Sequence, residues 1–247
     1  MKPSNDTSSN TLKVATPRGD QPRLLLLRHG QASLGTDDYD RLSDLGRRQA
    51  MILGARLESL GVRGCSAVAG SLKRQQQTLD SLGVSGPVSI DESLNEYVVD
   101  QLIRSAVEYA HKSGTEVPRQ EAFADPKAYL ETFLSWFPTV LSMWQAAELY
   151  CAHNGRWSDF HARVTSPIPA WREQLSSGQS LIVVSSAGVI STAVSDMLGE
   201  DLSWQRSLNV RLYNASLTEL ILDSDERWRA VRINCVDHLE AEAVTLA

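Results

Sequence analysis

The feature that most restricts how this chain can fold is Leu24-Leu25-Leu26-Leu27, an apolar run that stops abruptly at Arg28-His29-Gly30. An uninterrupted run of leucines has no polar face, so a strand built from it must be covered on both sides, as in the middle of a parallel sheet. Ligands of open α/β sheets bind in the crevice beyond the carboxyl ends of the strands. Arg28 and His29 are therefore expected at the mouth of such a crevice, with Gly30 supplying the backbone freedom to turn there.

The segments that follow extend the pattern. Ser43 is placed to cap a helix over 44–60 that Gly61 stops, 65–69 reads as a second strand, Ser71 as the cap of a helix reaching Leu82, and 87–90 as a third strand. Strand and helix in alternation imply a parallel sheet with right-handed crossovers. Between about 98 and 155 strands are absent. Leu102, Ile103, Ala106, Val107 and Ala110 mark one helical apolar face, and a second runs from Tyr129 and Leu130 to Trp144, interrupted by Pro138. This insertion is expected to cap the crevice. Helical spacing continues over 157–175, divided by Pro167 and Pro169. The sheet resumes over 181–185, a helix follows over 189–198, and 217–222 with 228–234 flank Asp223-Ser224-Asp225 as an antiparallel hairpin. The expected fold is α/β, a three-layer sandwich with a mostly parallel central sheet, an antiparallel edge hairpin and a helical cap insertion.

Charge and cysteine content exclude several classes of function. A net charge of −6 argues against nucleic acid or an anionic membrane as the main partner, although a local basic pocket is compatible with it. Cys65, Cys151 and Cys235 show no CxxC spacing, so neither a disulfide framework nor a zinc site is expected. Residues 1–21 mix Ser, Thr, Asn, Pro and Lys without the apolar centre of a signal peptide, and are read as a disordered tail ahead of one domain over 22–247. No run is long enough to cross a bilayer, and a soluble, cytoplasmic protein is expected. Oligomeric state is not legible.

Taken together, the strand ends carry a chemistry. Arg28 and His29 follow the first strand, Arg74 the second, Glu96 the third and Ser186 the next. Guanidinium groups converging at one edge form a fork matched to phosphate or carboxylate. An imidazole among them stays neutral and nucleophilic. A carboxylic acid facing a phosphate dianion has its pKa raised, which suits it to protonate a leaving alcohol.

These residues resemble the histidine phosphatase superfamily, which includes the phosphoglycerate mutases. The resemblance rests on Arg28-His29-Gly30-Gln31-Ala32-Ser33, Leu42-Ser43-Asp44-Leu45-Gly46 with Gln49-Ala50, and Gly70-Ser71-Leu72-Lys73-Arg74 with Gln77-Thr78. Leu94-Asn95-Glu96-Tyr97 and Val183-Val184-Ser185-Ser186-Ala187-Gly188-Val189-Ile190 complete it. It implies a nucleophilic His29 that becomes a phosphohistidine, Arg28 and Arg74 binding the phosphoryl group, and Glu96 as proton donor. The implied substrate is a small phosphomonoester, and no metal or other cofactor is implied. The chain departs from the family at Ser186, where active members carry a second histidine, and at Ala187, where they carry glycine. Loss of that charged donor makes a weakened or inactive phosphate-binding homologue the alternative, with Ser186 contributing a neutral hydrogen bond.

Blander readings stand beside these. Ser186 is equally suited to cap its helix, Asp91 and Glu92 compete with Glu96, and Gln75 to Gln77 read as a polar helix face. His111, His153, His161 and His238 are the candidates to replace the missing histidine, none within a motif. The chain order Ser186, Asp223 or Asp225, His238 also fits an α/β hydrolase, but Val184 stands where the nucleophile elbow requires glycine. A mutase is a lesser alternative, disfavoured by the short loop after Gly30.

Overall fold

The computed structural model describes residues 14–33, 40–114, 117–118 and 126–246, without the side chains of residues 126, 127, 129 and 130. Residues 1–13 of the expected tail, residues 34–39 of the loop after Gly30, and the Tyr129 and Leu130 side chains lie outside the described residues.

Strands β1 (Leu24–Arg28), β2 (Ser66–Ala69), β3 (Val88–Ile90), β4 (Leu181–Ser185), β5 (Leu217–Leu222) and β6 (Trp228–Cys235) form one sheet in the order β3-β2-β4-β1-β5-β6. The leucine strand is central. It pairs in parallel with β4, Leu24 opposite Leu181 and Arg28 opposite Ser185, and antiparallel with β5. β2 is parallel to both β3 and β4, while β5 and β6 form the expected antiparallel hairpin at one edge.

Alternation along β1 explains why every residue of the run is apolar. Leu24 and Leu26 enter a core with Val183, Val189 and the insertion's Phe137 and Trp144, whereas Leu25 and Leu27 enter a second core with Ile182, Val184, Leu53 and Leu79. All four leucines are at most 1% exposed. At roughly 2 kcal/mol per buried leucine, either face left open costs several kcal/mol, which fixes this strand between two helical layers.

On one face lie α1 (Asp44–Ser59) and α2 (Lys73–Leu82). Ser43 caps α1 as expected, its Oγ accepting from Gly46 N–H at 3.0 Å. Ser71 does not cap α2. Leu72 holds the N-cap position, and Ser71 instead exchanges hydrogen bonds with the Asn95 side chain, both at 2.8 Å. The other face carries α3 (Val99–Ser113), α4 (Pro126–Gln145), α5 (Trp157–Thr165), α6 (Ile168–Ser176), α7 (Ala187–Leu198) and α8 (Leu202–Arg211). The proline pair divides α5 from α6 as expected, but Pro138 interrupts nothing and sits inside α4. Lacking an N–H, it leaves the Leu134 carbonyl without its intrahelical partner. α8 leaves no apolar period in the sequence, because its buried residues include Gln205 and Asn209.

Trp144, Trp157 and Phe160 pack with ring centroids 5.2–5.6 Å apart, the aromatic core expected of the insertion and the segment after it. Among the described residues no helix is long and apolar enough to cross a membrane.

Candidate active site

The carboxyl end of β1 is held from both sides. His29 N–H donates to Ser185 O at 2.9 Å, and His29 O accepts from Ala215 N–H at 3.1 Å. Gly30 is needed here, though for a different reason than turning: its φ is not positive, and a Cβ would run into the backbone of Gly46. The loop thus lies directly on the first turn of α1, with Gly30 N–H donating to Thr78 Oγ1 (3.1 Å) and Gln31 N–H to Gln49 Oε1 (2.8 Å).

His29 is 4% exposed. Its Nδ1 lies 2.7 Å from Gly30 O, which can only accept, so Nδ1 carries the proton and Nε2 presents its lone pair. Arg74 Nε donates to that lone pair at 3.2 Å. Burial, then the charge of Arg74, then that of Arg28 hold the imidazole pKa well below its ordinary value, so His29 is neutral at pH 7. The result is a buried, neutral imidazole whose Nε2 lone pair faces the Arg74 guanidinium, an arrangement chemically able to attack an electrophile once that guanidinium turns to an anion.

Arg74 enters from the first turn of α2, and Asp40 holds it there. Asp40 Oδ1 pairs with Arg74 Nη1 at 2.5 Å, while Oδ2 accepts from Lys73 N–H at 3.0 Å. Asp40 carries no signal in the sequence. Arg28 Nη1 donates to the carbonyls of Leu212 and Leu246, the latter at 2.7 Å.

Glu96 follows a 3-10 turn at Glu92–Leu94. Its Oε2 accepts from Gly188 N–H at 2.7 Å, at the start of α7, and a Cβ on Gly188 would overlap Glu96 and Tyr97. Burial raises the Glu96 pKa, opposed by the Gly188 hydrogen bond and the charges of Arg74 and Arg28. The competing acids are elsewhere: Asp91 caps the 3-10 turn through Ser93 N–H (2.8 Å), and Glu92 is exposed. Tyr97 stacks edge-on against Trp144 and Phe160, and its hydroxyl accepts from Asn209 Nδ2 at 2.7 Å. That residue carries the rigidity of the aromatic cluster to the neighbouring carboxylate.

Ser186 is 1% exposed and occupies the N-cap position of α7, yet its side chain makes no capping bond. Its Oγ accepts from Gln75 Nε2 at 3.0 Å, which leaves its own O–H to donate. The same contact gives Gln75 more than the expected place on a polar helix face. Gln75 is fully buried and also donates to Leu94 O at 3.1 Å, and Ser185 Oγ donates to that carbonyl at 2.7 Å. One amide thereby ties α2, the Glu96 loop and the end of β4 together.

None of the other histidines joins this cluster. His111 and His153 are exposed, His161 pairs with Asp196 at 3.4 Å, and His238 Nε2 contacts Ala215 O at 3.0 Å. The hydrolase triad is likewise not assembled, since Asp223 is paired with Arg229 and Ser186 with Gln75. Among the described residues no group of His, Cys, Asp and Glu is placed to hold a metal ion.

A mixed α/β sheet that brings an imidazole, guanidiniums and a raised-pKa carboxyl to one edge is chemically suited to an anionic, phosphoryl-type ligand. Residues 24–135 and 130–236 match the histidine phosphatase superfamily (branch 1), and the chain belongs to that family. Among solved structures it is similar to YhfR of Bacillus stearothermophilus, with 18% identity and a TM-score of 0.62 over 89% of this chain and all of that one. It is also similar to a mycobacterial glucosyl-3-phosphoglycerate phosphatase in complex with VO3, with 22% identity and a TM-score of 0.59 over 87% of this chain and all of that one. Both likenesses concern the fold. A curated relative, the mitochondrial serine/threonine-protein phosphatase Pgam5 of Drosophila grimshawi, is 41% identical over 59 residues. That match spans 23% of this chain and 20% of the relative's length.

Proposed function

We propose that this protein is a metal-independent phosphatase that hydrolyses a small phosphomonoester through a phosphohistidine on His29. The observation that carries the reading is the His29 tautomer: Nδ1 is spent on Gly30 O, and the Nε2 lone pair faces a guanidinium. When a phosphoryl group arrives, Arg74 exchanges Nε2 for phosphoryl oxygens, with Arg28 as the second cation. Nε2 then attacks phosphorus, the P–O ester bond breaks, and the alkoxide takes the Glu96 proton. In the second half Glu96, now a carboxylate, accepts a proton from water. The water oxygen attacks phosphorus, the P–N bond breaks, and phosphate leaves with His29 neutral again. The superfamily's phosphatases, Pgam5 among them by name, support the reaction class.

A second reading, a phosphate-binding homologue with weakened catalysis, is favoured by Ser186. A neutral hydroxyl tied to Gln75 supplies no charge, and a missing transition-state donor costs about 10²–10³ in rate. The test is hydrolysis of an aryl phosphate by wild type and His29→Ala, each with EDTA. The phosphatase reading expects EDTA-insensitive turnover lost in the variant. Phosphate binding without turnover in the wild type supports the second reading, and equal turnover in both proteins refutes the first. We also read the protein as cytoplasmic, supported by free thiols at Cys65, Cys151 and Cys235.

A further inference from the structure

A groove of about 590 Å³ lies between α4 and α8, outside the catalytic cluster. On α8 the residues that line it are spaced at helical repeat: Ser203, then Arg206 and Ser207, then Val210 and Arg211. This stripe gives it cations and hydroxyl groups on one wall. The α4 wall is Leu134 and Pro138, apolar except for the Leu134 carbonyl whose intrahelical partner Pro138 cannot supply. No carboxylate is among its described lining residues, in a chain whose net charge is −6. One edge of the Arg206 guanidinium is fixed, because its Nη1 donates to Gln145 Oε1 at 2.5 Å and Gln145 Nε2 in turn donates to Gln205 Oε1 at 2.8 Å.

The groove adjoins the catalytic cluster at Arg28. Leu246 lines it, and the Leu246 carbonyl accepts from Arg28 Nη1 at 2.7 Å. The other carbonyl bound by that guanidinium belongs to Leu212, between the lining residues Arg211 and Tyr213. A second link runs through Asn209, which precedes the lining residue Val210 and bonds the hydroxyl of Tyr97, next to Glu96. The groove therefore lies on the Arg28 side of the cluster, with the Leu212 and Leu246 backbone between it and that guanidinium.

Resting on the phosphatase reading, we propose that this groove receives the leaving group of the substrate, and that the substrate is a phosphomonoester carrying a second anionic group on a partly apolar body. Arg206 and Arg211 take the second anion, Ser203 and Ser207 add hydroxyl donors, and Leu134, Pro138 and Val210 cover the apolar part. A carboxylate and a second phosphate share the recognising chemistry. Guanidinium groups bind either as a fork, and the aliphatic wall excludes water from the contact.

The test compares phenyl phosphate with 3- and 4-carboxyphenyl phosphate, and with 1,4-phenylene bisphosphate, on wild type, Arg206→Gln and Arg211→Gln. The expected result is a kcat/KM preference of about tenfold or more for a doubly anionic ester over phenyl phosphate, as expected for hydrogen bonds to a charged group. That ratio should fall towards one in either variant, mostly through KM. Preference for the carboxylates over the bisphosphate, or the reverse, identifies which anion the groove takes. A wild-type ratio near one, or a ratio that survives both substitutions, overturns the proposal. If no ester is turned over in a His29-dependent way, the phosphatase reading fails first. The groove is then judged by calorimetric affinity for the same compounds, where equal affinity for the singly and doubly anionic esters overturns it.

Discussion

Gly188→Ala separates the role of Glu96 from that of His29 more cleanly than removing either residue. Gly188 sits in the first turn of α7, where alanine is favoured over glycine by about 1 kcal/mol in a helix. Its added Cβ, however, would lie 3.0 Å from Glu96 Cδ and inside contact distance of Glu96 Oε1 and Tyr97 Cε1. Ordinary carbon–carbon contacts are about 3.5–4.0 Å, so relieving the closest of these contacts takes a shift of about 1 Å. The closest clash is with Tyr97 Cε1, and Tyr97 is held by Asn209, Trp144 and Phe160, so the start of α7 is pushed away and with it the Gly188 N–H that holds Glu96. Overpacking of this kind costs about 1–3 kcal/mol, which leaves a net destabilisation of about 0–2 kcal/mol after the helical gain. The fold should survive. A displaced general acid costs about 10²–10⁴ for an alkyl ester, whose alkoxide must be protonated, and far less for p-nitrophenyl phosphate, whose phenolate leaves unaided. Steady-state rates on glycerol phosphate and p-nitrophenyl phosphate, with urea melts for stability, check this. Equal loss on both substrates, or no loss on the alkyl ester, would refute the placement of Glu96 as proton donor.

Other consequences concern pH and the Ser186 neighbourhood. The proposed mechanism requires neutral His29 and protonated Glu96 for alkyl phosphates, so with His29 depressed and Glu96 raised the rate should rise through the His29 pKa and fall again through the Glu96 pKa. The alkaline limb should flatten with p-nitrophenyl phosphate, and a limb identical for both substrates would contradict the assignment. Because the folded protein resists protonating His29, the unfolded chain binds more protons below about pH 6.5, so stability contributed by this residue declines as pH falls from there. Denaturant melts of His29→Gln should show a shallower acid decline than wild type. Ser186→His alone should not raise activity, since the Gln75 amide 3.0 Å from Ser186 Oγ occupies the space an imidazole needs. Combined with Gln75→Ala it should raise kcat by about tenfold or more over Gln75→Ala alone, by restoring a charged donor, and additive effects in that double-mutant cycle would contradict the steric coupling.

What the sequence discloses and what it hides divide along physical lines. The leucine run, the strand-end residues and the hairpin around Asp223 are legible because burial on both faces, and a return of the chain, leave patterns of short period. His29, Arg74 and Glu96 converge where the strand ends imply. Contacts made by long polar side chains across the sequence are not legible. Gln75 reaches Ser186 over 111 residues and Arg28 reaches Leu246 over 218, and nothing local marks a glutamine as buried or an arginine as bonded to a distant carbonyl. Asp40 falls in the same class. Gly30 is legible as necessary, but the reason is the Gly46 backbone lying against it rather than a left-handed turn. At Ser186 the local grammar of a helix start points to capping, and a buried amide from another helix claims the hydroxyl first.

The central claim, a covalent phosphoryl group on His29, is tested most directly by rapid acid-free quenching of the enzyme during turnover, followed by peptide mapping. The expected result is phosphate on the peptide containing Arg28-His29-Gly30, stable to alkali, labile to acid and formed fast enough to account for turnover. Turnover at an undiminished rate with phosphate on another residue, or with no phosphoenzyme and full activity in His29→Ala, would contradict it.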